Sequence, residues 1–154
     1  MALNPEFVGR TYPASAPYQV GREKVREFAT SIGDSNPAYH DVEVARSLGY
    51  ADVIAPPTFP FVLSFKSMGA AMFDPDLGLD YSRVVHGEQR FVYTRPITAG
   101  DTLVCVSSID GIRSAAGNDL ITVRAEISTE AGEHVVTTYG VIVSRGTADA
   151  EKGS

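Results

Sequence analysis

A chain of 154 residues with 44% hydrophobic and 21% charged residues has the composition of one ordinary globular domain. Its formal net charge of −6 argues against a nucleic-acid or anionic-membrane partner, and no stretch reaches the roughly 18 consecutive apolar residues of a membrane span. The opening Met1-Ala2-Leu3-Asn4-Pro5 has neither a basic leader nor a long apolar run, so a cytoplasmic location is expected. Cys105 is the single cysteine, which excludes an intrachain disulfide; set in an alternating apolar run, it reads as a buried structural thiol. The histidines at 40, 86 and 134 do not stand at zinc-ligand spacing, and no metal or cofactor is expected.

The first predicted helix covers 22–32, where Val25, Phe28, Ala29 and Ile32 repeat on one helical face and Gly33 supplies the stop. Its basic residues Arg22, Lys24 and Arg26 alternate with Glu23 and Glu27, the pattern of a solvated face. After the loop Asp34-Ser35-Asn36-Pro37-Ala38-Tyr39-His40, Asp41 is placed to cap a short helix through about Leu48, ended by Gly49. A third helix, over 59–73, is apolar nearly all round and is therefore expected to be buried, with Thr58 as its cap and Pro60 in its first turn. Beyond Asp80 the period changes to two. Strands are predicted over 83–93, 101–112, 120–129 and 133–143, the last two joined by the turn Glu130-Ala131-Gly132, and segments 7–12 and 18–20 are candidates for an edge strand. Helices first and an antiparallel meander afterwards give an α+β architecture, one sheet wrapped around one long buried helix. The domain is expected over 1–145, with a small, polar, disordered tail at 146–154. A sheet of this kind keeps open edges, so a dimer is expected.

The loop Asp34-Ser35-Asn36-Pro37 with His40, and the run from Gln89 through Arg95-Pro96 to Gly100-Asp101-Thr102-Leu103, resemble the MaoC-like (R)-specific enoyl-thioester hydratases and 3-hydroxyacyl-thioester dehydratases of the hot-dog fold. The segment Tyr18 to Phe28 is similar to an actinobacterial branch that includes the non-catalytic-type subunits of mycolic-acid dehydratase heterodimers. The resemblance spans about 7–145. It implies a single hot-dog domain, a substrate that is the thioester of coenzyme A or acyl carrier protein, and pairing as a homodimer or with a second hot-dog subunit.

Hydration of a 2-enoyl thioester needs a base for water, an acid for the α-carbon and a donor for the enolate-like oxygen, work that carboxylate and imidazole divide near neutral pH. The resemblance assigns the proton transfers to Asp34 and His40 and loop support to Asn36. It places the oxyanion donor at the entrance to the third helix, near Thr58 and Phe59, where free amides favour negative charge. His86 and Gly87, in the polar quartet His86-Gly87-Glu88-Gln89, are candidates for lining the thioester channel or a dimer contact; Tyr81 and Tyr93 read as core or interface. Two features depart from the family pattern. Ala38 and Tyr39 separate Pro37 from His40 where the family places one residue, so Tyr39 stands in the histidine slot; and Ala55-Pro56-Pro57 replaces an Ala-His-Gly stretch, removing an amide donor. Two readings stay open: a hydratase using Asp34 and His40, and an acyl-chain-binding subunit whose partner supplies the Asp–His pair. A thioesterase with a carboxylate on the central helix is disfavoured, because 59–73 contains no Asp or Glu.

Overall fold

The alternation in the second half of the chain builds a sheet whose inner face is largely apolar, with every second residue of β3 and β4 turned inward over most of their length. In β3 (Thr102–Ala115) Leu103, Cys105, Ser107 and Ile109 are buried, and in β4 (Asn118–Thr129) Ile121, Val123, Ala125 and Ile127 are. The computed structural model describes residues 3–147. Within it, β1 (Tyr18–Gln19), β2 (Val84–Tyr93), β3, β4 and β5 (His134–Ser144) form one antiparallel sheet in the order β1-β3-β4-β5-β2. The N-terminal edge is smaller than expected: Tyr18–Gln19 pairs with β3, Thr11 adds one bridge to Ser108, and Phe7 ends a 3-10 turn.

The strands are not a simple meander. β2 pairs with β5 rather than with its successor β3, so the 94–101 connection must cross from one side of the sheet to the other. That crossing is pinned by main chain and ions. The Ala55 amide donates to the Ile97 carbonyl (2.8 Å), Ala99 to Val53 (2.9 Å) and Gly100 to Val20 (2.8 Å), with Gly100 at φ +100°, where a side chain would be strained. Arg95 donates to both oxygens of Asp101 (2.9 and 3.0 Å), to Glu133 (2.7 Å) and to the Pro96 carbonyl (3.0 Å), while Asp101 also accepts the Thr98 amide (2.9 Å). The Arg-Pro…Gly-Asp segment is therefore the clasp of the crossover.

Three helices complete the fold. α1 (Arg22–Ser31) buries Val25 and Ala29, but Ile32 falls at its C-cap and is exposed, one position past the face that its spacing predicts. Arg22 is held by Asp52, and Lys24 and Arg26 pair with Glu27 and Glu23, so the basic run is a surface feature. α2 (Val42–Ser47) starts as expected, the Asp41 carboxylate accepting the Glu43 and Val44 amides. α3 (Phe61–Met72) begins two residues later than expected. Its N-cap is Pro60, with no side-chain cap, so Thr58 is not the cap; Thr58 lies in the preceding turn, its carbonyl accepting from the Phe61 amide. Pro57 and Pro60 force that turn, since neither can donate and each fixes its own φ.

α3 is buried on its sheet side only. Leu63 joins a core with Phe59, Ile97, Leu103 and Ile127, while Met68 and Met72 join a second core with Leu77, Ile109 and Ile121. On the other side Phe65 is 64% exposed, and Phe73, just past the helix, is 73% exposed. The all-round burial expected of this helix is thus incomplete in one chain. Cys105 is buried as expected, and burial pushes its thiol pKa up. No described helix is long and apolar enough to cross a membrane. Of the tail expected over 146–154, residues 148–154 lie outside the described residues; Thr147 is buried, its hydroxyl donating to Asp119 (2.7 Å).

Candidate functional site

The 34–40 loop is built by side chains that fold back on their own backbone. The Asp34 carboxylate accepts the Asn36 amide (3.0 Å) and the Asn36 side chain accepts the Ala38 amide (3.0 Å), two successive turns that set up the 3-10 turn Pro37–Tyr39. His40 closes the loop: its Nε2 lies 3.0 Å from the backbone carbonyl of Asp34. A carbonyl only accepts, so Nε2 carries the proton and donates it. The imidazole therefore meets the main chain of Asp34 and not its carboxylate.

Tyr39, not His40, is turned inward. It is buried, 7% exposed, whereas His40 is half-buried. Burial first, and the Asp34 charge second, push the phenol pKa above its ordinary value, against an opposing contact from Asn36. Opposite it, Tyr93 at the end of β2 donates its hydroxyl to the Pro57 carbonyl (2.7 Å), and burial raises its pKa strongly. The two phenols, with Ala55, Pro57 and Arg95, wall a cavity of about 270 Å³. Both stay protonated at neutral pH, so the walls of this cavity carry two phenol donors and no carboxylate or imidazole.

Thr58 and His86 share a different cavity, of about 380 Å³, with Phe28, Phe61 and Gln89. His86 stacks on Phe61 (centroids 5.5 Å, 15° between planes), and its Nε2 is 3.1 Å from Gln89 Oε1. Of the amides in 56–60 at the entrance to α3, Phe59 N–H is spent on the Pro56 carbonyl (2.9 Å) and positions 56, 57 and 60 are proline, which leaves Thr58 N–H as the donor without a hydrogen bond among the described residues. The Phe59 side chain is fully buried, edge-on to Phe28 (5.3 Å), and lies in the core. Gly87 sits at a β-bulge between His86 and Glu88, and a Cβ there would stand 2.9 Å from Val143 Cγ2. Gly87→Ala is accordingly expected to cost about 1–3 kcal/mol in a urea titration; a loss under half of that would show that β2 shifts freely.

The expected residues thus divide. Asp34, Asn36 and His40 share one hydrogen-bonded loop; Thr58 and His86 share one cavity; Phe59 is core, and Gly87 marks the edge strand. Tyr93 packs against the core, as expected, and also lines the cavity opposite Tyr39. Its signal was present in β2, where Gln89, Phe91 and Tyr93 are the less exposed alternate positions.

The family model described as "FAS1-like, dehydratase domain region" matches residues 6–138. A UPF0336 protein of Streptomyces avermitilis is 60% identical over 153 residues, 99% of this chain and all of that one. Among solved structures, the C-terminally truncated HadBC (3R-hydroxyacyl-ACP dehydratase) complex of Mycobacterium tuberculosis aligns with TM-score 0.77 and 32% identity over 86% of this chain and 92% of that one. A MaoC-like dehydratase aligns with TM-score 0.82 and 37% identity, over 96% of this chain but 45% of its own length.

Proposed function

The chain belongs to the FAS1-like dehydratase-region family, and on that footing we propose that it is the accessory, acyl-chain-holding subunit of a hot-dog dehydratase. In this reading it shapes the channel for a 2-enoyl or 3-hydroxyacyl thioester of fatty-acid metabolism, carried by coenzyme A or acyl carrier protein. A second hot-dog subunit, joined in the cytoplasm, supplies the Asp–His pair. The observation that carries the reading is the bond from His40 Nε2 to the Asp34 carbonyl, with the Asp34 carboxylate engaged by Asn36. Hydration delivers hydroxide to C3 and a proton to C2, and needs both groups aimed at one water. Here each is turned to the backbone, the inward position is held by a protonated Tyr39, and the α3 entrance offers a single free amide at Thr58. Losing one oxyanion donor alone costs on the order of 100-fold or more in rate. The similarity to a chain of the HadBC dehydratase complex supports a hot-dog subunit that works paired with another.

The free edge of β2, with Val85 and Val92 exposed, suits the second subunit. A second reading, a homodimeric (R)-specific hydratase using Asp34 and His40, is favoured by their shared loop, because catalytic hydrogen bonds often tighten only once substrate binds. The two readings separate on Asp34→Asn and His40→Ala in the assembled, co-purified enzyme. Turnover of a trans-2-enoyl thioester is expected to stay within about threefold of the unaltered complex. A drop on the order of 100-fold or more, the usual cost of removing a general acid or base, would place the chemistry in this chain.

A further inference from the structure

The exposed side of α3 borders an apolar groove that meets a different cavity at each end. A groove of about 270 Å³ runs beside the helix between Phe61, Phe65, Met68, Val84, His86 and Ile142, and its lining is almost wholly apolar. At the N-terminal end of α3 it meets the cavity that opens at Thr58, the two sharing Phe61 and His86. At the other end it abuts a larger cavity of about 560 Å³ whose walls include Asp74, Asp80 and Arg83. Only Met72, Phe73 and Tyr81 border both. Phe73 and Tyr81 are stacked, with centroids 5.0 Å apart and 18° between planes. The Tyr81 hydroxyl donates to the Met72 carbonyl in the last turn of α3, and the Phe73 ring lies back over Gly69, where a Cβ would stand 3.7 Å away.

We propose that the stacked Phe73–Tyr81 pair is a length gate that ends the acyl-chain groove and sets which chains the subunit holds. The inference rests on the acyl-holding reading above. The groove commits to an alkyl occupant because its wall is apolar with no Asp, Glu, Lys or Arg, and because it adjoins, across Phe61 and His86, the cavity lined by Thr58 and Gln89, where the polar thioester end finds partners. Twelve helical residues rise about 18 Å, enough for a medium-chain alkyl tail laid along α3. Past the pair the walls turn polar and charged, so further methylenes gain little by entering. Phe73 is the movable half of the gate, because it is the more exposed ring and caps the helix from outside. Tyr81 is the fixed half, anchored on the Met72 carbonyl.

The test is calorimetric binding of saturated acyl-CoA of increasing even chain length to the purified chain, with any subunit that co-purifies. Unaltered protein, Phe73→Ala and Tyr81→Ala are compared. Each methylene that enters the groove should tighten binding about fourfold, up to a cut-off beyond which affinity stops rising. In Phe73→Ala the cut-off is expected to move by two methylenes, which fill the space the ring leaves beside Gly69 and Met72, short of the charged walls, so the first even chain past the old cut-off binds roughly 15-fold tighter than to unaltered protein; Tyr81→Ala should move it in the same direction. A cut-off identical in all three proteins overturns the gate while leaving the groove intact. Affinity independent of chain length in all three overturns the acyl-holding reading itself, and the gate with it. Phe73 is mostly solvent-facing, so Phe73→Ala is expected to melt within a few degrees of unaltered protein, which keeps the comparison clean.

Discussion

Phe59→Ala is expected to remove about 4 kcal/mol of folding stability. Phe59 is among the largest side chains that are fully buried, and it fills the space where the turn before α3 meets α1, its ring perpendicular to that of Phe28. Truncation leaves a cavity between a helix and a proline-locked turn, neither of which can close over it, so the loss belongs near the middle of the range for aromatic deletions. Its backbone makes the same point. Phe59 N–H is committed to Pro56, and the residue acts by holding the α3 entrance in shape. A urea titration should show a lower midpoint with an unchanged slope. A loss below about 1.5 kcal/mol would mean that the site collapses, and would return Phe59 to the list of residues that face a ligand.

The second large effect is expected at the crossover clasp. Asp101→Ala leaves the Arg95 guanidinium without its bidentate partner and the Thr98 amide without an acceptor. Asp101 is the first cause, and Glu133 the second, of an Arg95 pKa raised above its already high ordinary value, so the arginine stays charged and cannot escape the loss by deprotonating. Arg95 and Asp101 are 28% and 15% exposed at their side chains, between a surface pair and a fully buried one. The expected cost is about 2–3 kcal/mol, below the 3–5 kcal/mol of a deeply buried pair because water can reach the orphaned charge. Glu133 is more exposed, and Glu133→Gln should cost less than about 1 kcal/mol. A double-mutant cycle of Arg95 and Asp101 measures the coupling, and a value near zero would mean that main-chain bonds alone hold the crossover.

The contrast between Asp101 and Asp34 shows what could be read in the chain and what could not. The Arg95…Asp101 segment makes a contact six residues long, closed by Gly100 at positive φ, and its chemistry is local enough to be recognised as a pattern. The strands were legible for the same reason, since Leu103 to Ile109 and Ile121 to Ile127 alternate against one core. The order of the strands was not, because pairing of β2 with β5 depends on where the 94–101 crossover goes, which no period encodes. The start of α3 lies two residues past the expected Phe59, and Thr58 is not its cap, because Pro57 and Pro60 produce a turn before the helix that uses the same residue types as a cap. The all-round apolar character of α3 was read as burial, whereas Phe65 and Phe73 face outward in one chain.

In the 34–40 loop the residue types were visible and their aim was not. Asp34 and His40 carry the right chemistry, but the two residues between Pro37 and His40 turn the imidazole onto the Asp34 carbonyl and Tyr39 inward. Tyr39 is identifiable as the occupant of the histidine slot only when its spacing from Pro37 is set against the pattern of the resembled family. Its partner Tyr93 lies more than fifty residues away and is brought opposite by β2, a placement that only the folded sheet supplies.

The most direct measurement is hydration of a trans-2-enoyl-CoA by the purified chain alone and by the chain co-expressed with a MaoC-like hot-dog partner that carries its own Asp–His pair. The account predicts no turnover above background from the chain alone, and turnover from the complex that is at least 100-fold higher and is abolished by mutating the partner's pair, not Asp34 or His40. Full turnover by the chain alone, lost in Asp34→Asn or His40→Ala, would contradict it.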